Sequence, residues 1–440
     1  MTIFCYTIVM NRKLLFAIIL VLLFAIGVIS WFFFFAQPTP APSLNGPSNP
    51  FSLQNLPKQF QFVFKKNNDT PPISITTTEM TFPKPEVLTQ IWNRPTTGQT
   101  FVDQMIIQEV EATSTQGTTT VMIKKLTQAT TTVLMFVDRI TGYVYSYNRN
   151  EGKIYQISNT TIPGVYDAYI FNNGKRIVLR YADNDKHTIV GILANIPSVG
   201  DKDQAKPLEN TVYLPAQVTS VAVNQNKTLL SYLVTGDAGG AIYTVTSKGA
   251  TLVANTPFKE WSLSYGGDAL FATSKPSAYI EGETVYLPSF ESVVTNKTGL
   301  QSNPSEKGIF LNSMWSSIGL KTFLSIGGNQ VVISATTIAS KCTWGQKEFL
   351  VCAVPKLLPK STEGYPDDWF QGRVSFDDSL MTVDSKTSLV YPLYSFNTEK
   401  DGVFDITNIS ISNNNAFISF NKKQDTSLWL LDTDLIGGGE

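Results

Sequence analysis

Short strand-like runs separated by tight-turn residues follow one another between residues 138 and 181, and this succession limits the possible fold more than any other feature. Runs 143–148 and 153–158 are rich in β-branched and aromatic residues and are separated by a four-residue turn signal, which predicts a β-hairpin. Runs 165–171 and 177–181 predict a second hairpin across an Asn-Asn-Gly-Lys turn. Strands of this length joined by turns indicate an all-β fold made of antiparallel sheets.

A degenerate repeat extends this pattern along the chain. Its marker is a turn of Asn, Gly, Asp or Lys type between two strands, and three successive intervals between markers are 41, 38 and 41 residues. This spacing is typical of the four-stranded blades of a β-propeller. A longer interval contains an insertion, 353–372. The marker turns are Asn172–Gly174, Asn224–Asn226, Tyr265–Asp268, Asn303–Glu306, Trp344–Lys347 and Ser412–Asn415.

The strands within a unit agree with a propeller. Residues 218–255 contain four consecutive runs and predict one complete blade, whereas residues 406–432 supply only three strands. The segment 85–92 is a suitable fourth strand, and pairing the first strand with the last would close the ring and remove exposed sheet edges. We expect one propeller over residues 85–435 with seven blades, and counts of six or eight stay open.

The N-terminal region predicts a membrane anchor. Residues 14–36 contain no charge and are long enough to cross a bilayer as a helix, and Arg12 and Lys13 precede them. The positive-inside rule then places residues 1–13 in the cytoplasm and the propeller on the other side of the membrane. A cleaved signal peptide is the competing interpretation. We interpret 37–50 as a Pro-rich linker, 51–84 as an extended segment on or near the propeller, and 436–440 as a disordered tail.

Charge and composition exclude some functions. The chain has 34 basic and 35 acidic residues, so its net charge is −1, and no basic stripe suggests nucleic acid as a partner. Its one histidine, His187, falls in a predicted loop, so a site with several histidines is excluded and we expect no metal and no cofactor. The acidic runs 183–185 and 376–379 lack the spaced oxygens of a calcium loop and are interpreted as turns.

Two cysteines flank a strand–turn–strand unit. Cys342 and Cys352 are equally distant from Lys347 at the predicted turn, which places them opposite each other on neighbouring strands. That separation suits a disulfide, and two buried thiols are the alternative.

The insertion contains the most conspicuous surface candidate, Tyr365-Pro366-Asp367-Asp368-Trp369. Two carboxylates beside aromatic rings could bind a cation or a sugar, or act as an acid and base pair. The competing interpretation is a turn whose aromatic rings pack on the blade. Tyr365, Asp367, Asp368 and Trp369 are therefore binding candidates, and no residue is predicted to be catalytic.

Four segments, 138–145, 157–163, 342–355 and 366–372, resemble WD40-like and TolB-like bacterial β-propellers, and more closely membrane-anchored envelope propellers of unknown function. The resemblance covers residues 85–435. It implies a non-enzymatic scaffold or binding module for envelope proteins or cell-wall polymers. The alternative is a glycan-directed hydrolase or lyase with carboxylates on one propeller face, and catalysis is the less expected of the two.

Overall fold

The structure is a computed structural model that describes residues 86–436, apart from 117–118, 184–187, 199–203 and 247–248. Within this part, 28 strands form seven four-stranded antiparallel sheets. Seven such sheets in sequence order make a seven-bladed β-propeller, so the predicted fold class and blade count are confirmed. The predicted membrane span 14–36, the segments 37–50 and 51–84, and His187 lie outside the described residues.

Six blades each contain four consecutive strands. Blades 1 to 3 contain β2 (Thr96–Gln116), β3 (Thr119–Asp138), β4 (Val144–Asn148), β5 (Lys153–Gln156); β6 (Val165–Phe171), β7 (Arg176–Asp183), β8 (Thr188–Asn195), β9 (Glu209–Tyr213); and β10 (Val218–Val223), β11 (Leu230–Gly236), β12 (Gly239–Thr246), β13 (Gly249–Thr256). Blades 4 to 6 contain β14 (Trp261–Gly266), β15 (Ala269–Ser274), β16 (Glu281–Tyr286), β17 (Glu291–Thr298); β18 (Gln301–Pro304), β19 (Phe310–Ser316), β20 (Gly319–Ile326), β21 (Asn329–Val332); and β22 (Cys342–Trp344), β23 (Phe349–Pro355), β24 (Asp378–Asp384), β25 (Val390–Ser395).

Blade 7 joins the two ends of the propeller. Its strands are β26 (Ile406–Ile411), β27 (Phe417–Lys422), β28 (Leu428–Asp432) and β1 (Leu88–Trp92), in that order across the sheet. Leu88 lies opposite Leu431 and Thr89 opposite Leu430. The predicted closure by the first and last strands is therefore confirmed.

The hydrophobic core lies in layers between neighbouring blades. Val133 and Val137 of blade 1, for example, pack in one cluster with Ile170 and Ile177 of blade 2. Most sheets have a neighbouring blade packed against each face. Many strands therefore have apolar side chains on both faces. The first strands of successive blades face the propeller axis and contact one another around the ring, with the 3₁₀ turn Ala339–Lys341 between blades 5 and 6.

Turns between the first and second strands of the blades all lie on one side of the ring, which we call the turn face. All six marker turns of the sequence repeat belong to this class. In the β6–β7 turn, Asn172 and Asn173 have φ of 52° and 51°. Asparagine tolerates this left-handed conformation better than most residues, which explains the Asn-rich turns.

The β2–β3 hairpin is much longer than its blade, a feature that the sequence did not predict. The two strands stay paired from Thr96 and Asp138 to Gln116 and Thr119, whereas β4 pairs with β3 only at Val133–Val137. We call the part beyond the blade, residues 104–116 and 119–131, the arm. Its 13 residue pairs extend about 40 Å from the turn face.

The predicted insertion is present between β23 and β24. We call residues 356–377 the cap, because they cover part of the side of the ring opposite the turn face, the cap face. The cap includes the short helix α1 (Asp367–Phe370), and α2 (Thr398–Asp401) lies between β25 and β26. Further 3₁₀ turns span Gln346–Glu348 and Thr433–Leu435.

Candidate functional site

A polar cavity lies on the propeller axis at the turn face. Ends of the inner strands β2, β6, β10, β22 and β26 and their turns surround a volume of about 240 Å³. A second volume of about 380 Å³ adjoins it and shares the lining residues Gln225, Lys227, Gln346 and Asn413. We call the two together the axial cavity.

Side-chain amides dominate the lining of the axial cavity. Hydroxyl groups come from Thr100, Thr343, Ser410 and Ser412, while Tyr169 and Trp344 add aromatic surface. None of the described lining residues is an Asp or Glu. The lining amides are Gln99, Asn173, Asn224, Gln225, Asn226, Gln346 and Asn413.

Two side-chain amides of the lining differ in their hydrogen bonding. The Nε2 of Gln225 in blade 3 donates to the carbonyl oxygen of Gly345 in blade 6 at 3.2 Å, a hydrogen bond across the cavity. The Oε1 of Gln99 is buried and has no hydrogen-bond partner among the described residues. A buried acceptor of this kind normally has a donor, which here would come from a water molecule or a ligand.

Lys227 is the one charged residue among the described lining residues. Its Nζ donates to the carbonyl oxygen of Phe101 at 2.5 Å and so joins blade 3 to blade 1. Burial lowers the pKa of Lys227 to about 8, and the nearby carboxylate of Asp103 opposes this shift. The ammonium group is still mostly protonated at pH 7, so it can donate to a ligand.

The base of the arm is fixed at the mouth of the axial cavity. Asn413 Nδ2 and Thr132 Oγ1 donate to the two carboxylate oxygens of Asp103, each at 2.7 Å. The side chain of Asn173 donates to the carbonyl oxygen of Asp103 at 3.4 Å. The base of the arm therefore lies beside the axial cavity.

The four predicted binding candidates lie in the cap, on the other side of the ring. Tyr365 and Asp368 are fully buried and Trp369 is nearly so. Asp367 accepts hydrogen bonds from the Ala278 N–H at 2.8 Å and the Ser277 hydroxyl at 3.3 Å. These contacts fasten the cap to blade 4. The role of these residues in binding stays a prediction.

Asp368 organises the cap loop. Its Oδ2 accepts from the Ser361 hydroxyl and the N–H groups of Thr362 and Glu363, and its Oδ1 lies 3.2 Å from Arg373. Led by the Ser361 hydrogen bond, these donors lower the pKa of Asp368 to about 2. Both carboxylate oxygens of Asp368 are therefore engaged within the cap.

A buried charged cluster holds the cap on blades 6 and 7. The Nζ of Lys341 lies 2.8 Å from Asp378 and 2.6 Å from Asp405, and all three side chains are inaccessible to solvent. Trp369 Nε1 donates to Asp405 at 3.0 Å. Because no residue of this cluster lines the axial cavity, we assign it to the support of the fold.

The predicted disulfide is confirmed. Cys342 and Cys352 lie directly opposite each other on β22 and β23, and their sulfurs are bonded. Both cysteines are buried.

The described residues offer neither a cluster of metal-ligating side chains nor a membrane-spanning helix. No group of three or more His, Cys, Asp or Glu side chains in this part of the chain is placed to hold a metal ion. No helix within the described ranges is both long enough and apolar enough to cross a bilayer.

The sequence did not identify the axial cavity. Gln225 and Asn413 belong to marker turns whose only sequence signal is their spacing, and Gln99 and Lys227 belong to no motif. The one available signal was the abundance of asparagine and glutamine in turns that a propeller places on one face.

Comparisons with known proteins show similarity in fold only. No protein-family profile matches the sequence, and no curated protein is similar to it. Similar solved structures include hydrazine synthase of Kuenenia stuttgartiensis, with 12% identity over 63% of this chain and 79% of that chain and a TM-score of 0.42.

Two further structures resemble this chain to a similar degree. The β-propeller domain of the trilobed protease from Pyrococcus furiosus, described as having an open velcro topology, has 10% identity over 69% of this chain and 91% of that chain, with a TM-score of 0.45. A chain of the mitotic checkpoint complex has 11% identity, coverages of 68% and 83%, and a TM-score of 0.41. The propeller assignment rests on the sheet topology, and the WD40-like or TolB-like relationship stays a prediction.

Proposed function

We propose that this chain is a non-enzymatic binding module, held outside a bacterial cytoplasmic membrane by residues 14–36, whose axial cavity binds a cell-wall polysaccharide. The propeller fold suits a binding or scaffold module. The apolar N-terminal stretch and the resemblance of the sequence to envelope propellers support the location.

The lining of the axial cavity carries the choice of ligand. Amide groups both donate and accept hydrogen bonds, as do sugar hydroxyl groups. The one ammonium group of the described lining, that of Lys227, lies near the carboxylate of Asp103, which offsets its charge and leaves the lining suited to an uncharged sugar. The unpartnered Oε1 of Gln99 would accept from a ligand hydroxyl.

The hydrolase alternative has less support. Glycoside hydrolysis ordinarily needs two carboxyl groups on either side of the scissile bond. The described cavity lining contains none, and the two carboxylates of the predicted candidates, Asp367 and Asp368, are engaged in the cap.

Titration calorimetry of the full chain in lipid nanodiscs tests this function. The probes are soluble oligosaccharides of neutral, N-acetylated and acidic type. We expect a neutral or N-acetylated oligosaccharide to bind, and the Gln99→Ala/Gln225→Ala double variant to bind about tenfold more weakly, because it loses two neutral hydrogen bonds. Gln90→Ala, an exposed amide on the outermost strand of blade 7, is the control that leaves affinity unchanged.

Three outcomes would contradict the proposal. They are no binding of any oligosaccharide, equal affinity of the wild type and the double variant, and release of new reducing ends from the probe. The last would favour the hydrolase. Thermal unfolding of each variant checks that the ring is intact.

A further inference from the structure

The buried charged cluster under the cap brings an amine and two carboxylates into direct contact. The Nζ of Lys341 lies 2.6 Å from Oδ1 of Asp405 and 2.8 Å from Oδ2 of Asp378. None of the three side chains is accessible to solvent. An amine and a carboxyl group held this close are positioned to react, because fixed geometry replaces a bimolecular encounter by an effective concentration of about 10⁵–10⁸ M.

Asp405 has the surroundings of a carboxyl group under attack. Its Oδ2 accepts hydrogen bonds from the Phe376 N–H at 3.0 Å and the Ser375 hydroxyl at 3.1 Å, and it shares the Trp369 indole N–H with Oδ1 at 3.0 Å. Lys423 Nζ lies 4.0 Å from Oδ2. Donors arranged in this way stabilise the negative charge that develops on a carboxyl oxygen when a nucleophile adds to its carbon. Oδ1, the oxygen that faces the amine, is then the one that leaves.

Asp378 has the surroundings of a proton carrier. Its Oδ2 contacts the amine and accepts from the Ile406 N–H at 2.7 Å, whereas its Oδ1 is buried and has no hydrogen-bond partner among the described residues. Burial raises the pKa of Asp378 to about 6, although Lys341 opposes the shift. A carboxyl group whose pKa lies near neutrality can take a proton from an amine and release it again. The two aspartates therefore differ in the role that each can fill.

The dry surroundings of the cluster favour an amide over an ion pair. The rings of Trp369 and Phe376, which both belong to the cap, lie 4.9 and 4.8 Å from the amine of Lys341. Burying separate charges has a desolvation cost that close pairing does not always offset. An amide is neutral, so its formation removes one positive and one negative charge from this environment.

We propose that Lys341 and Asp405 form an intramolecular isopeptide bond after the propeller folds. Asp378 accepts a proton from Nζ, the amine forms a C–N bond with Cγ of Asp405, and the bond between Cγ and Oδ1 breaks. Asp378 delivers its proton to Oδ1, and a second N–H proton follows by the same route, so the leaving group is one water molecule. The product is a secondary amide, no oxidant or reductant is consumed, and Asp378 returns to its starting state.

This bond encloses blade 6 and its cap in a covalent loop. Residues 341 and 405 are 64 positions apart, in the turn before β22 and in the segment before β26. The loop contains the Cys342–Cys352 disulfide, but unlike that disulfide the amide persists in a reducing solution. A bridge across a long loop restricts the unfolded chain and so stabilises the fold. The inference does not depend on the ligand in the axial cavity, because it concerns a separate site.

Peptide mapping of the full chain in lipid nanodiscs tests the proposal. The chain is reduced, denatured and digested with trypsin, which does not cleave after a lysine whose amine is acylated. We expect a branched peptide that joins Lys341 to Asp405 and is lighter than the sum of its two parts by one water molecule. Lys356 and Asp377 are the control within the same digest, since this ion pair is also short, at 3.1 Å, but both side chains are 32% exposed. Trypsin should cleave after Lys356.

The Asp378→Asn variant tests the route of the proton. Asparagine keeps an acceptor for the Ile406 N–H but cannot carry a proton, so we expect the branched peptide to be at least about tenfold less abundant at equal times after synthesis. Lys275→Met changes an exposed lysine on the cap face and should leave the abundance unchanged.

Three results would overturn the proposal. They are a wild-type digest with complete cleavage after Lys341 and no branched peptide, a branch at Asp378 instead of Asp405, and equal amounts of the branched peptide in the wild type and in Asp378→Asn. In the first case the cluster is an ion pair only. The wild-type digest decides the question even if the variant does not fold.

Discussion

The ammonium group of Lys341 connects the 3₁₀ turn between blades 5 and 6 with β24 and with the segment before β26. Besides its two carboxylate partners, Lys341 has the rings of Trp369 and Phe376 at 4.9 and 4.8 Å. Asp405 also accepts from the Phe376 N–H and the Ser375 hydroxyl. Removing one member of this cluster leaves the remaining buried charges without a partner. Such a change strongly lowers the free energy of unfolding.

We predict that Lys341→Met lowers the free energy of unfolding by about 3–5 kcal/mol, because two buried carboxylates lose their counter-charge. Lys275→Met is the matched control, since the Lys275–Glu260 pair is two-thirds exposed and such pairs contribute about 0.2–1 kcal/mol. Urea unfolding followed by tryptophan fluorescence measures both. Equal unfolding midpoints for the two variants would contradict the assigned role.

Asp378 gives the same cluster a pH dependence. Burial raises the pKa of Asp378 to about 6, although Lys341 and the Ile406 N–H oppose the shift, and Asp405 adds to it. Lys423 also faces the cluster, 4.0 Å from Asp405. In an unfolded chain the pKa of an aspartate is about 3.9.

Between about pH 4 and about pH 6 the folded chain therefore binds more protons at Asp378 than the unfolded chain does. The contribution of Asp378 to stability consequently rises as pH falls through this window. We predict that the wild type gains up to about 2–3 kcal/mol relative to Asp378→Asn between pH 7 and pH 4. A difference between the two proteins that stays constant with pH would refute this assignment.

At the scale of elements, the sequence predicted strands and turns well and long-range extensions poorly. The alternating runs of β4 and β5, and the Asn-rich marker turns, are local signals that fix hairpins. The arm has no such signal, because the length of β2 and β3 beyond the blade depends on where β4 ends, at Asn148. Neither strand contains a local break at the level of the blade edge.

In the β22–β23 hairpin, by contrast, the positions of two cysteines were enough to predict which residues lie opposite each other. Because Cys342 and Cys352 close a short loop, we predict that replacing both by alanine lowers the free energy of unfolding by about 2–3 kcal/mol. Labelling of the denatured, unreduced chain with a thiol reagent, followed by peptide mapping, should leave both cysteines unmodified until a reductant is added. Modification of either one before reduction would contradict the bond.

At the scale of the whole molecule, the ring could be predicted because its repeat and its closing strand are encoded locally. The axial cavity could not, since its lining combines inner-strand ends from five blades. Gln99 and Asn413 are more than 300 positions apart and come together only when the ring closes. The cap candidates have side chains that could bind a ligand, but in the folded chain Asp368 is buried and accepts hydrogen bonds from the Ser361 hydroxyl and neighbouring N–H groups.

The axial cavity requires that β1 and β28 join the ends of the propeller, so a cross-link between these strands is the most direct test. Thr89 and Leu430 are opposite each other in the register, at a separation that suits a disulfide. We predict that Thr89→Cys/Leu430→Cys forms an intramolecular disulfide, detected by mass spectrometry of unreduced peptides. Thr89→Cys/Thr407→Cys, which pairs the outermost with the innermost strand of blade 7, should not form one. Free thiols at both 89 and 430 under oxidising conditions would show that the ring is not closed in this way.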